Sequence, residues 1–124
     1  MCLPERELFM IIGIGVDIIE VGRVQKAVER NPRFVDRVFT PDEIAYAEGK
    51  RSRFQHLAAR FAAKEAFFKA IGRRLHWTDV ETVNLPSGQP QLVFHTAEDL
   101  GFIRSYVSLS HLADYAVATV VLEK

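Results

Sequence analysis

Apolar residues and glycines alternate along residues 11–18, Ile-Ile-Gly-Ile-Gly-Val-Asp-Ile, and this period of two predicts a strand. Ile12, Ile14, Val16 and Ile18 share one side; Gly13, Gly15 and Asp17 share the other. Glycine weakens a strand unless something must come close, so the low face beside Asp17 calls for a tightly packed helix or a ligand. From Glu20 the period lengthens, and Val21, Val24 and Val28 predict a helix to about Glu29. Asn31-Pro32 breaks it, and a short helical turn follows around residues 33–38. Thr40-Pro41-Asp42-Glu43 combines an N-cap, a first-turn proline and the reciprocal acid of a capping box, so a helix starts there and runs to Ala47 or Gly49. The longest helix is expected from Phe54 to about Ile71, rich in alanine and closed by Gly72. On it Ala58, Phe61, Ala62, Glu65 and Lys69 lie at nearby angles, with Lys64 on the rim.

The second half reads as strands: Val80–Asn84, Gln91–Phe94, Tyr106–Ser110 and Tyr115–Leu122, separated by turns at 86–90 and 111–114. Val117, Val121 and their alternating neighbours are expected in the core, and Thr96 to Leu100 as a short helix before Gly101. Early helices followed by antiparallel strands predict one α+β domain over residues 10–124, which strand 11–18 could join. Residues 1–9 read as a flexible extension or as the trace of an upstream start, Met10 standing directly before the first strand.

A chain of 124 residues, 48% of them hydrophobic and 26% charged, suits one soluble globular domain. It holds no apolar run of membrane-spanning length and begins without the apolar core of a secretory signal, so no membrane association and a cytoplasmic location are expected. Cys2, the single cysteine, excludes an intrachain disulfide and a cysteine-built metal site. The zero net charge hides an asymmetry, because residues 23–74 carry 13 Lys/Arg against 6 Asp/Glu. Arg23, Lys26 and Arg30 fall on overlapping faces of one helix, continued by Arg33 and Arg37. Such a band attracts an acidic partner or a nucleotide, or is simply solvated. Zinc-finger spacing and RNA-binding aromatic signatures are missing, so nucleic acid is not the expected partner. Gly13-Ile-Gly15 lacks the third glycine of a dinucleotide fingerprint, which excludes a Rossmann site.

Asp17 and Glu65 are the best candidates for ligands of a hard divalent cation. Carboxylates suit Mg²⁺, which keeps waters and bridges substrate phosphates, so two acids are enough; Mn²⁺ accepts the same oxygens. Buried capping or salt-bridge roles compete with this reading. Lys64, Lys69 and Arg60 could set positive charge near phosphate oxygens and stabilise charge developing during transfer. His111, at a turn between strands, is on local grounds a structural or surface residue.

Four segments taken together resemble the holo-acyl-carrier-protein synthase family, the AcpS-type 4′-phosphopantetheinyl transferases. They are Gly13-Ile-Gly-Val-Asp17 with Glu20 and Arg23; Phe39-Thr-Pro-Asp-Glu43; Arg60-Phe-Ala-Ala-Lys-Glu-Ala-Phe-Phe-Lys-Ala70; and Ser108-Leu-Ser-His-Leu-Ala-Asp-Tyr-Ala-Val-Ala118. Their order spans nearly all of residues 11–122. The resemblance implies the 4′-phosphopantetheinyl transferase fold and transfer of phosphopantetheine from coenzyme A to a serine of apo-acyl carrier protein, releasing adenosine 3′,5′-bisphosphate. It implies that Asp17 and Glu65 bind Mg²⁺ and that Lys69 stabilises or protonates the leaving phosphate. Lys64 would then bind phosphate, and His111 coenzyme A. Glu65, directly or through a water, is the candidate base for the serine.

With that partner, Arg23, Lys26 and Arg30 become candidates for docking the acidic carrier. The resemblance also implies a homotrimer with active sites between subunits. Phe68 departs from the family pattern, where a small polar residue, often serine, is common, so contacts to the coenzyme are not carried over at that position. A carrier-binding module without catalysis and a nucleotide hydrolase are the competing functions.

Overall fold

The structure, a computed structural model, describes residues 9–124. The extension expected over residues 1–9 therefore lies, apart from Phe9, outside the described residues, as does Cys2. Element order is β1 (Ile11–Glu20), α1 (Val21–Arg30), α2 (Pro32–Val38), α3 (Pro41–Glu48), α4 (Arg53–Ile71), β2 (Val80–Asn84), β3 (Pro90–Phe94), β4 (Arg104–His111) and β5 (Tyr115–Glu123). A single 3₁₀ turn over Trp77–Asp79 precedes β2. The expected early helices are all present. Residues 96–100 form a bend instead of a helix, because Thr96 and Asp99 side chains accept from the backbone N–H groups of Glu98 and Gly101.

Helix α4 is the axis of the molecule. Leu57, Ala58, Ala59, Ala62, Ala63, Ala66 and Phe67 are all buried, and they point in so many directions that the helix has hardly a solvent face. Phe67 packs its ring at a tilt against Phe94 and edge-on against Phe102, a burial that stabilises by about 1.5–3 kcal/mol. On one side of α4 lies an antiparallel sheet in the order β1-β5-β4; β2 and β3 form a separate hairpin.

Gly13 and Gly15 face α4, and their bare backbone lets the strand touch the helix. A Cβ on Gly15 would stand 1.9 Å from the Ala66 carbonyl oxygen, and one on Gly13 would stand 2.1 Å from that of Ala70. Of the two causes expected for the low face, close helix packing is the one observed. Gly15→Ala should therefore lower stability by about 3 kcal/mol, the upper end for overpacking. Gly22→Ala, where nothing lies within 4 Å, should leave stability unchanged or raise it. Urea midpoints of the two variants check this, and equal midpoints would contradict it.

The outward face of the sheet corrects one expectation. Val117 and Val121 are not core; β5 buries Ala116, Ala118, Val120 and Leu122 instead. These four residues face α4, and the opposite face is turned to solvent. Across it, Ile14 and Tyr106 flank Val121, Val16 and Ser108 flank Thr119, and Ile18 and Ser110 flank Val117. Ile12, Ile14, Val16, Ile18 and Tyr106 are all exposed there.

Candidate active site

The contact between β1 and α4 that the glycines permit also sets Asp17 beside the helix. Lys69 reaches across it, donating to the Val16 carbonyl at 3.0 Å and to Asp17 Oδ1 at 3.2 Å. Glu65, one turn before Lys69, lies close enough to Asp17 for the two carboxylates to repel. Partial burial raises the Asp17 carboxyl above its usual pKa; Lys69 opposes the shift and Glu65 adds to it. Both acids are sheltered, their side chains 17% and 21% exposed.

Arg74, which the sequence reading passed over, completes the cluster by donating to both oxygens of Glu65 at 3.2 Å. The one available signal was Gly72, whose φ of 81° ends α4 and allows the chain to turn back along the helix. Among the described residues no group of three or more His, Cys, Asp or Glu side chains could hold a metal ion. The donor set is two carboxylates, each neutralised by a nearby cation. That set fits Mg²⁺, which takes one or two carboxylates and fills its remaining positions with water and phosphate.

Lys64 is placed elsewhere, contrary to its assignment to phosphate binding. Its side chain is 0% exposed, and its ammonium is spent on Glu43 Oε1 at 2.9 Å, the Trp77 carbonyl at 2.9 Å and the Val80 carbonyl. All three donors are used, so none remains for a substrate. The physical reason is that α4 is enclosed on nearly every side, so a rim position on its helical wheel still points inward. Burial pushes the Lys64 pKa down, and Glu43 opposes that shift.

Glu43 in turn accepts from the Thr40 and Thr82 backbone N–H groups. The capping box of α3 is thereby extended into a buried polar network, with the Thr40 hydroxyl donating to Glu81 at 2.8 Å and Glu81 meeting His95 Nε2 at 2.6 Å. Arg60 is buried as well, bonded to Asn84 and lying over the Tyr46 ring, its centre 4.1 Å away.

His111 ends β4 and is not brought to the carboxylates. Its Nδ1 lies 2.8 Å from Gln55 Oε1 and its ring packs edge-on against His56, with centroids 4.9 Å apart. Gln55 precedes Glu65 by ten residues of α4, a distance of about 15 Å along the helix. Arg23, Lys26 and Arg30 are exposed along α1. Beside Arg23 runs a groove of about 180 Å³ lined by Ile19, Val24, Ala27, Phe34 and Phe61.

Fold and site together form a small α+β domain in which acidic and basic side chains converge where helix α4 meets the glycine-bearing strand β1. The chain belongs to the 4′-phosphopantetheinyl transferase superfamily, whose family model matches residues 13–120. It is 49% identical over 125 residues to a holo-[acyl-carrier-protein] synthase of Geobacter sulfurreducens, covering 93% of this chain and 99% of that protein. Among solved structures, a holo-[acyl-carrier-protein] synthase from Neisseria meningitidis superposes with a TM-score of 0.85 at 32% identity, covering 93% of this chain and all of that one. A Bacillus anthracis synthase in complex with CoA (3′,5′-ADP) superposes with a TM-score of 0.80 at 40% identity, over 93% and 98% of the two chains.

Proposed function

We propose that this chain is a holo-acyl-carrier-protein synthase, moving 4′-phosphopantetheine from coenzyme A to a serine of apo-acyl carrier protein. The observation that carries the reading is the convergence of Asp17, Glu65 and Lys69 at the β1–α4 contact, in a chain so similar to synthases along its whole length. The bond formed joins the serine oxygen to the phosphorus bearing the pantetheine arm. The bond broken is the one from that phosphorus to the bridging oxygen, so adenosine 3′,5′-bisphosphate leaves.

Asp17 and Glu65 would hold Mg²⁺, or Mn²⁺ in its place, which supplies a positive centre for the pyrophosphate oxygens. Glu65, directly or through a water, takes the proton of the attacking serine, for which a carboxylate held beside the reacting group is a competent base. Lys69, already poised one turn away, offsets or protonates the charge on the departing bisphosphate. His111 binds coenzyme A away from the carboxylates. No covalent enzyme intermediate is needed, and a cytoplasmic site of action belongs to the same reading.

Two surfaces support the partners. The outer face of the sheet leaves Ile12, Ile14, Val16, Ile18 and Tyr106 side by side in water, and a contiguous apolar face of this kind favours assembly of copies through it. A homotrimer in which one protomer supplies Asp17 and Glu65 and its neighbour supplies His111 would also bridge the distance between these residues. A solution mass of a single 14.1 kDa chain would count against it. The Arg23 groove, apolar within and basic beside it, suits an acidic carrier helix. Reversing Arg23, Lys26 and Arg30 to glutamate should raise the carrier KM by about tenfold or more while leaving the coenzyme A KM within about twofold. An unchanged carrier KM would sink this docking surface.

Release of adenosine 3′,5′-bisphosphate tests the reaction class. The synthase reading expects release only with an apo-carrier that retains its acceptor serine. Release without carrier would instead show a nucleotide hydrolase, and carrier binding with no release a docking module.

A further inference from the structure

The Arg74–Glu65 pair is an unusual neighbour for a metal site, because the guanidinium covers both oxygens of a carboxylate that the site would use. Its geometry has two parts. Nη1 and Nη2 donate side by side to Oε2 and Oε1, each at 3.2 Å. The guanidinium carbon also lies 4.9 Å from the Phe68 ring centre and 5.0 Å from the Trp77 ring centre. Phe68, the departure from the family pattern, is therefore one wall of a seat for Arg74. Gly72 supplies the other requirement, the turn that returns the chain towards α4.

We infer that Arg74 is an exchangeable counterion and a phosphate-binding residue. It neutralises Glu65 while no divalent cation is present, and it turns to a phosphate oxygen of coenzyme A once a cation takes the carboxylate. The inference rests on the reading of Glu65 as a metal ligand.

Four physical points support it. The Arg74 side chain is 58% exposed, and ion pairs in solvent hold weakly, so a dication can displace this one. A guanidinium and a metal ion repel each other across one carboxylate, so the two occupants exclude one another. The aromatic faces of Phe68 and Trp77 retain the displaced cation near the site. An arginine fork held there suits the paired oxygens of phosphate better than a lysine would. The exchange thus leaves a positive charge beside the phosphates at the moment the metal draws them in.

The two halves predict opposite changes in one variant. Binding of Mn²⁺ without coenzyme A, followed by the loss of its free electron-paramagnetic-resonance signal, should tighten about twofold to fivefold in Arg74→Ala. In steady-state assays with Mg²⁺, the same variant should show a coenzyme A KM raised by about tenfold, with kcat changed less. Arg74→Lys, which keeps the charge but loses the fork, should fall between. A merely structural salt bridge would not improve one affinity while impairing the other.

Unchanged or weaker Mn²⁺ binding in Arg74→Ala would overturn the exchange, and an unchanged coenzyme A KM would overturn the phosphate role. Glu65→Gln separates these outcomes from the underlying reading. If it binds Mn²⁺ as tightly as the wild type, Glu65 is no metal ligand and the exchange falls with that reading. If it loses binding while Arg74→Ala is unaltered, only the exchange is overturned.

Discussion

Glu65→Gln is expected to lower the rate of phosphopantetheine transfer by about a hundredfold or more, the range for removal of a positioned base. The substitution keeps the shape of the side chain and removes its charge. Glutamine can neither take the serine proton at neutral pH nor match a carboxylate as a ligand of a hard cation. The fold should survive, since Glu65 lies at the margin of α4 and its partner Arg74 is largely in solvent. An exposed ion pair contributes at most about 1 kcal/mol, so the thermal midpoint should move by only a few degrees. Initial rates of adenosine 3′,5′-bisphosphate release, measured with the thermal midpoint of the same preparation, separate lost chemistry from lost folding. A folded variant within about threefold of the wild-type rate would remove Glu65 from the reaction.

Lys64→Met should show the opposite pattern, a large loss of stability with little effect on coenzyme A binding by the molecules that remain folded. The ammonium is fully enclosed, and among the described residues it is the only cation bonded to Glu43. Removing it leaves a buried carboxylate held by two backbone N–H groups, with the Arg60 guanidinium near but not bonded to it, which costs about 3–5 kcal/mol. The freed carbonyls of Trp77 and Val80 add to that loss. For a chain of this size the thermal midpoint should fall by roughly 10 °C or more. Adding Glu43→Gln to Lys64→Met removes the stranded charge, so the double variant should lose less than the two single losses combined. A coenzyme A KM raised about tenfold in Lys64→Met, with its stability intact, would restore Lys64 to phosphate binding.

Lys64 also marks the limit of what the chain discloses by pattern. Helical spacing states which residues share a face, and it grouped Glu65, Lys69 and their apolar neighbours well. It does not state how much of the helix is covered, and α4 is enclosed so widely that its rim is interior. Val117 and Val121 fail for a related reason. The alternation along β5 was legible, but both of its faces carry aliphatic residues, so which side met α4 depended on the pairing with β1, where Val120 and Leu122 stand opposite Gly15 and Gly13.

Local chemistry was read with less loss. The Thr40–Glu43 capping box and the Gly72 helix end occur where the residue types require them. Asp17 and Lys69, 52 residues apart, meet because both motifs lie on the β1–α4 contact. Arg74 had no such signal, since a residue two beyond a left-handed glycine can return to the helix or leave it. The pairing of His111 with Gln55 is tertiary and has no trace in spacing.

The central claim is that Asp17 and Glu65, joined at that contact, make this chain a carrier-modifying transferase. Intact-mass measurement of an apo-acyl carrier protein, incubated with coenzyme A, Mg²⁺ and either wild-type protein or Asp17→Asn, tests it most directly. The account predicts a carrier heavier by one phosphopantetheine group with the wild type and an unmodified carrier with folded Asp17→Asn over the same interval. An unmodified carrier in both reactions, or equal modification in both, would contradict it.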